Sequence, residues 1–296
     1  MSYKELNFDD PVTLLPVRGG LILKLSQMLV SATGRGLGIW RLLRLLCLVF
    51  PEWRELPVVG PDNDLFRIDL KLNPSQLFCS WLTSEIQPCI KHIKAKQPVA
   101  LDIGTNIGVW IRVLSKLYPQ AKVFAFEPSP SNFEQLELNC KDRKNVFLQP
   151  IALGAETGVV CFSGDSVSPG LRSIQTGKSE LPDTIKVPIS TLSDWVVSNR
   201  LTKIDFIKID VEGFEKDVLV PARNLLERHH PVICFEYVPE LATRSSFEGY
   251  QLIQFLQDLS YRVYRIEKNG RLHMDFNENF DWTNNYLAAY PVVAGD

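Results

Sequence analysis

The sequence lacks a long apolar run, a surplus of positive charge and any metal-type grouping of cysteine and histidine, and each lack removes a class of function. Its longest apolar stretch, Leu42 to Phe50, is interrupted by Arg44 and falls well short of the ~20 residues a membrane-spanning helix needs. With 32 Lys and Arg against 34 Asp and Glu, the formal net charge is -2. No overall basic field exists to hold a phosphate backbone, so nucleic acid is not expected as a partner. The cysteines at 47, 79, 89, 140, 161 and 234 include no CxxC pair and no histidine at zinc-finger spacing, and they read as scattered core thiols. The histidines at 92, 229, 230 and 273 give no metal spacing with the acids and read as surface residues. The acidic opening MSYKELNFDDP is the wrong start for a secretory signal peptide. With unpaired thiols, this points to a reducing cytoplasm.

Acids are also missing locally. From Pro11 through Pro51 there is no Asp or Glu, whereas Arg18, Lys24, Arg35, Arg41 and Arg44 are basic. GLILKLSQMLVSA and GIWRLLRLLCLVF read as two helices separated by the breaker-rich TGRGLG. Pro51 and ELPVVGPDND mark a boundary, so the expected organisation is a helical basic N-terminal extension over 1–60 and a main domain over 61–296. Two readings of the extension stay open: an ordinary helical cap, or a peripheral membrane contact through residues 18–50.

The rest of the 296 residues, 45% hydrophobic overall, alternates short apolar runs with amphipathic stretches. That is the pattern of βαβ units and a parallel sheet, hence an α/β, doubly wound, Rossmann-like fold. Strands are expected at 99–103, 122–126, 146–148, 204–209 and 232–235, with 262–266 and 286–290 as an antiparallel edge. Helices are expected at 109–117, 131–140, 192–199, 215–226 and 250–259. Between Gly154 and Pro188 helical periodicity vanishes, and GDSVSPGLRSIQTGKSELPD reads as a long functional loop.

The most informative segment is VALDIGTNIGVW, where an apolar strand runs through Asp102 into Gly104, Thr105, Asn106 and Gly108 and on into a helix. A tight turn at a strand's C-terminal end needs residues that tolerate positive φ, which Gly104 and Gly108 do, with Asn106 next best. One strand later, FAFEPSP places Glu127 where a carboxylate can accept hydrogen bonds from ribose hydroxyls, and Pro128 ends that strand. The glycine spacing is GxxxG rather than GxGxxG, and a carboxylate at Asp102 would repel a pyrophosphate. It suits the ammonium and sulfonium of S-adenosylmethionine.

Taken with IALGAETG, DFIKIDVEGFEKDVL and PVICFEY, these blocks resemble the FkbM family of methyltransferases over about Val99 to Tyr237. The resemblance implies a seven-stranded Rossmann-like methyltransferase domain and an S-adenosylmethionine-dependent O-methyltransferase acting on a hydroxyl of a sugar, glycolipid or secondary metabolite. It further implies that Asp102, Gly104, Asn106 and Gly108 line the methionine and ribose end, and that Ala152 and Leu153 lie near the adenine. The sequence departs from the family pattern at Thr105, where alanine is frequent, and before Val99.

DFIKIDVEG releases Asp210, Glu212 and Gly213 at the sheet's C-terminal edge, where open α/β sheets bind ligands. Strand alternation puts Lys208 and Asp210 on one face, and Glu236 ends the next strand on the same rim. Asp210 is therefore also a candidate cofactor contact. Methyl transfer to an alcohol requires relief of the acceptor's proton. Either Asp210 or Glu212 accepts it directly, or Asp210 with Glu236 holds a divalent cation such as Mg²⁺. The third reading is that Lys208 merely neutralises the acids in a structural network. Phe78, Trp81, Trp110 and Trp195 are candidates for an aromatic substrate wall, against the commoner role of core packing. The rival functions are a nicotinamide-dependent oxidoreductase, which the glycine spacing and the lack of a Tyr-x-x-x-Lys pair disfavour, and a non-catalytic interaction module of the same fold.

Overall fold

The structure, a computed structural model, describes residues 13–33, 37–59, 64–73, 86–163, 173–175, 185–238, 249–267, 270–274 and 284–291. The chain opens with β1 (Thr13–Leu14), α1 (Gly20–Thr33), α2 (Leu37–Leu46), a 3₁₀ turn (Pro51–Glu55), β2 (Leu56–Val59) and β3 (Leu65–Ile68). Both expected helices are present. The antiparallel sheet β1-β2-β3 was not expected, and the boundary set after residue 60 falls inside its β2–β3 pairing. The two strands alternate in burial but are only four residues each, too short for a period of two to stand out beside VVGPDND.

Next come α3 (Ile86–His92), β4 (Val99–Ile103), α4 (Val109–Leu117), β5 (Lys122–Phe126), α5 (Pro130–Cys140), β6 (Val146–Gln149), β7 (Ala152–Leu153), β8 (Gly158–Ser163), β9 (Ser173–Gln175), β10 (Ile185–Ser190) and α6 (Leu192–Ser198). The chain continues with β11 (Phe206–Ile209), α7 (Glu215–Leu219), α8 (Arg223–His229), β12 (Val232–Tyr237), α9 (Gly249–Asp258), β13 (Arg262–Ile266), β14 (Leu272–His273) and β15 (Asn284–Ala289).

The main sheet has the order β14-β13-β15-β12-β11-β4-β5-β6. Strands β12, β11, β4, β5 and β6 are parallel, and β15 slots antiparallel between β12 and β13. This is the expected seven-stranded arrangement with the two-residue β14 added at its edge. The residues of β4 and β11 are buried throughout, as strands covered by helices on both faces must be. On one face Ile90, Ile111 and Leu136 of α3, α4 and α5 pack around Val123 and Phe206. On the other, Trp195, Leu219, Leu226 and Leu256 of α6 to α9 pack around Leu101 and Ile207.

The helix expected over 215–226 is two helices, because Pro221 has no N–H to donate and its ring clashes with the preceding turn. The supposed loop of 154–188 is also corrected. Strands β7, β8, β9 and β10 form a second sheet in the order β7-β10-β8-β9, and β10 alternates in burial as a half-buried strand does. The polar stretches 164–172 and 176–184 lie outside the described residues.

The N-terminal unit is docked onto the main domain. Its core of Leu23, Leu43, Trp53 and Phe66 includes Ile107, from the loop after β4. Arg112 of α4 donates through Nε to Asp64 at 2.7 Å. Asn139 of α5 accepts from the Arg67 amide at 2.8 Å and donates to the carbonyls of Arg67 and Ile107. The extension is thus packed on the core. Among the described residues no helix is long and apolar enough to cross a membrane.

Candidate active site

Strand β4 lies between β11 and β5, and the helices that follow β4 and β11 pack on opposite faces. In open α/β sheets such a reversal, at the C-terminal edge of the strands, is where a ligand crevice forms. In the loop after β4, the amides of Gly104 and Thr105 both donate to the Phe126 carbonyl at 3.0 Å, and the Thr105 hydroxyl donates to the Asp102 carbonyl at 2.7 Å. Asn106 takes the left-handed conformation (φ 54°) that its position in the motif predicts. Gly104 (φ 80°) is obligatory for space as well as angle, because a Cβ there would stand 1.8 Å from the Asp210 carbonyl oxygen. The Asp210 amide donates to the Ile103 carbonyl at 2.9 Å, holding the two loops together.

The acids around this crossing differ in how they are satisfied. Glu127, almost wholly buried, accepts from the Asn106 amide at 2.9 Å and the Ser129 amide at 2.8 Å. Burial pushes its carboxyl up to about 7, although those amides pull the other way. Asp102 is completely buried, and neither of its carboxylate oxygens has a hydrogen-bond partner. Burial lifts it to about 6 against the opposing charge of Lys208, whose Nζ is 3.8 Å away. The same Nζ is 3.2 Å from Asp210 Oδ2, whose side chain is about a third exposed. Asn106 Oδ1 is likewise buried without a partner.

Residues 102–263 match the family described as the methyltransferase FkbM domain, more than half of the chain. The chain belongs to the FkbM family of methyltransferases. It is 29% identical over 184 residues to the 2-O-methyltransferase NoeI of Sinorhizobium fredii, covering 57% of this chain and 74% of that protein. It is 32% identical over 140 residues to the hexuronic acid methyltransferase AglP of Haloferax volcanii, covering 46% of this chain and 54% of that one. A solved FkbM methyltransferase from Methylobacillus flagellatus superposes with a TM-score of 0.45 at 16% identity, over 73% of this chain and 52% of that one.

Asp102, Gly104, Thr105, Asn106, Gly108, Glu127 and Pro128 of this FkbM-family chain gather on the adjoining β4 and β5 loops, and Lys208 and Asp210 join them from β11. Ala152 and Leu153 form β7 of the second sheet, both buried, with Leu153 in the main core. Glu212 (φ 57°) and Gly213 (φ 98°) make the tight turn after β11. Glu236 follows Phe235, which pairs with Ile209, and so stands level with Asp210. A divalent cation at this pair finds no support. Among the described residues no three metal-ligating side chains gather, and the Lys208 ammonium already stands beside Asp210.

The aromatic-wall reading fails for two of its members. Trp110 stacks on Phe206 in the core, with centroids 5.9 Å apart, and Trp195 packs edge-on against Phe124 and Phe126. Phe78 and Trp81 lie outside the described residues. Sequence reasoning missed Glu215, a buried acid that accepts from the Val211 amide at 2.9 Å and the Gly213 amide at 3.3 Å. The signal was present, an acid two residues after Glu-Gly at a helix start, where a carboxylate finds unpaired amides.

Proposed function

We propose that this chain is an S-adenosylmethionine-dependent O-methyltransferase whose acceptor is a hydroxyl of a sugar-containing molecule or secondary metabolite. The observation that carries the cofactor assignment is chemical. The unsatisfied polar atoms of the β4 loop, both Asp102 oxygens and Asn106 Oδ1, are all acceptors. They suit a ligand that brings positive charge and N–H or O–H donors, and they would repel a dinucleotide's pyrophosphate. The FkbM match and the names of NoeI and AglP support the transferase and sugar readings.

When bound, S-adenosylmethionine supplies a methyl group on a sulfonium, ready for in-line displacement. Asp102, Asn106 and Glu127 bind and orient it, the glutamate through lone pairs left beyond its two backbone amides. Asp210, at the end of β11 and open to solvent on one side, takes the acceptor's proton, and Lys208 orients its carboxylate. Glu212 is the second candidate for that proton, and Glu236 borders the acceptor.

The first test is thermal: S-adenosylhomocysteine should protect the chain from unfolding and NAD should not, and the reverse result overturns the cofactor assignment. Comparison of glycans and metabolites with and without the chain should then reveal an acceptor one methylene heavier. On that acceptor Asp210→Asn should lower turnover on the order of 100- to 10,000-fold while S-adenosylhomocysteine still binds. Turnover of the wild type should survive a chelator. Near-normal turnover of both Asp210→Asn and Glu212→Gln would remove these acids from the chemistry.

A further inference from the structure

Helices α1 and α2 each bury one side and leave a large apolar side to solvent. On α1, Leu23 and Ser26 face inward, while Leu21, Leu25, Met28 and Leu29 are 71%, 55%, 68% and 52% exposed. At about 100° per residue these four share one arc, opposite the buried pair. On α2, Leu43 faces inward with Cys47 just beyond, while Leu42, Leu45 and the Leu48 and Val49 of the following turn are about half exposed or more. Among the described residues these eight outnumber all other exposed large hydrophobics, which stand singly elsewhere.

The charge on the two helices has one sign. Lys24 and Arg41 are exposed beside the two stripes, and the sequence from Pro11 through Pro51 carries five basic residues and no acid, although the whole chain is net negative. A second copy of the same two helices would bring these cations together with no carboxylate on either helix to answer them. Anionic headgroups answer them, and the adjoining acyl boundary takes leucine and methionine side chains.

We propose that α1 and α2 form a docking surface for an anionic lipid bilayer, both helices lying in the plane of the interface. The unit is held rigidly for this task. Trp53 donates to the Arg18 carbonyl at 2.9 Å and stacks on Phe50 at 4.6 Å, and Ile107 ties the same core to the loop after β4. The proposal goes beyond the methyltransferase reading and does not depend on it, because its test needs no turnover.

The full-length chain is sedimented with vesicles of phosphatidylcholine alone and of phosphatidylcholine and phosphatidylglycerol in equal parts, at low and high salt. Binding is expected to the anionic vesicles and should weaken with salt. Lys24→Glu with Arg41→Glu, both exposed and outside the active site, should lower binding about tenfold or more. Leu25→Ser with Met28→Ser should lower it at either salt concentration, with thermal unfolding and S-adenosylhomocysteine binding unchanged in all variants. No binding of the wild type to anionic vesicles at low salt overturns the proposal whatever the variants do. So does undiminished binding to the anionic vesicles by a charge-reversed variant that remains folded. A wild-type dimer in light scattering that Leu25→Ser dissociates would assign the surface to a second copy instead.

Discussion

The loop after β4 and the loop after β11 are both held by a buried glutamate that takes two backbone amides, yet the two arrangements work over different ranges. Glu127 comes from β5's end and reaches across to Asn106 while also holding Ser129 in its own turn, so it joins two loops. Glu215 comes from the helix that its loop leads into and holds only Val211 and Gly213, so that loop closes on itself. The first tie makes the proposed cofactor side of the site one preformed piece. The second leaves the Asp210–Glu212 turn locally braced, meeting its neighbour through the Gly104 crossing.

The crossing is the place to break both loops at once. Gly104→Ala puts a methyl group into the Asp210 carbonyl at a positive φ and should cost more than about 4 kcal/mol, read as loss of cooperative unfolding or of S-adenosylhomocysteine binding. Glu127→Ala comes next. It leaves two largely buried amides without a partner, each worth about 1–3 kcal/mol. Urea unfolding of the free chain should therefore shift strongly, in addition to any loss of cofactor affinity. An unchanged midpoint would show that water takes over the tie. Glu215→Ala should cost less, about 1–3 kcal/mol, because one of its two bonds is long at 3.3 Å, and cofactor affinity should barely move.

The smallest effect is a pH slope. Burial raises both glutamates from 4.5 to about 7, so between those values the folded chain holds protons that the unfolded chain has released. The stability they contribute is full below their ordinary range and falls as pH rises through about 7. Melting temperature should thus decline between about pH 5 and pH 8, and the decline should be shallower in Glu215→Gln. An unaltered slope in that variant would place the titration elsewhere.

What was legible in the sequence follows the same division. Gly104, Asn106 and Gly108 announced a left-handed turn because their residue types answer to local backbone geometry alone. The Lys208–Asp210 pairing followed from alternation along one strand. Glu127 was recognised as an acid at the right place, but its partners were not. A backbone amide carries no residue-type signature, and whether one lies within reach depends on which loop crosses above it. The sheets β1-β2-β3 and β7-β10-β8-β9 escaped for a related reason. Their strands run two to six residues between Gly, Pro and Ser, and pairing across the chain, rather than periodicity, makes them strands.

Ile107 has a consequence for anyone who would recombine this chain with its relatives. The family match runs over 102–263, and a seam cut just ahead of it would look safe on homology alone. It would strip the hydrophobic bed under Ile107, take away Asp64 and leave Arg112 without one of its carboxylates, and deprive Asn139 of the strand it bridges. A chimera that keeps the turn after β4 needs its junction upstream of β1, or else must carry Ile107, Arg112 and Asn139 over together as one inherited block.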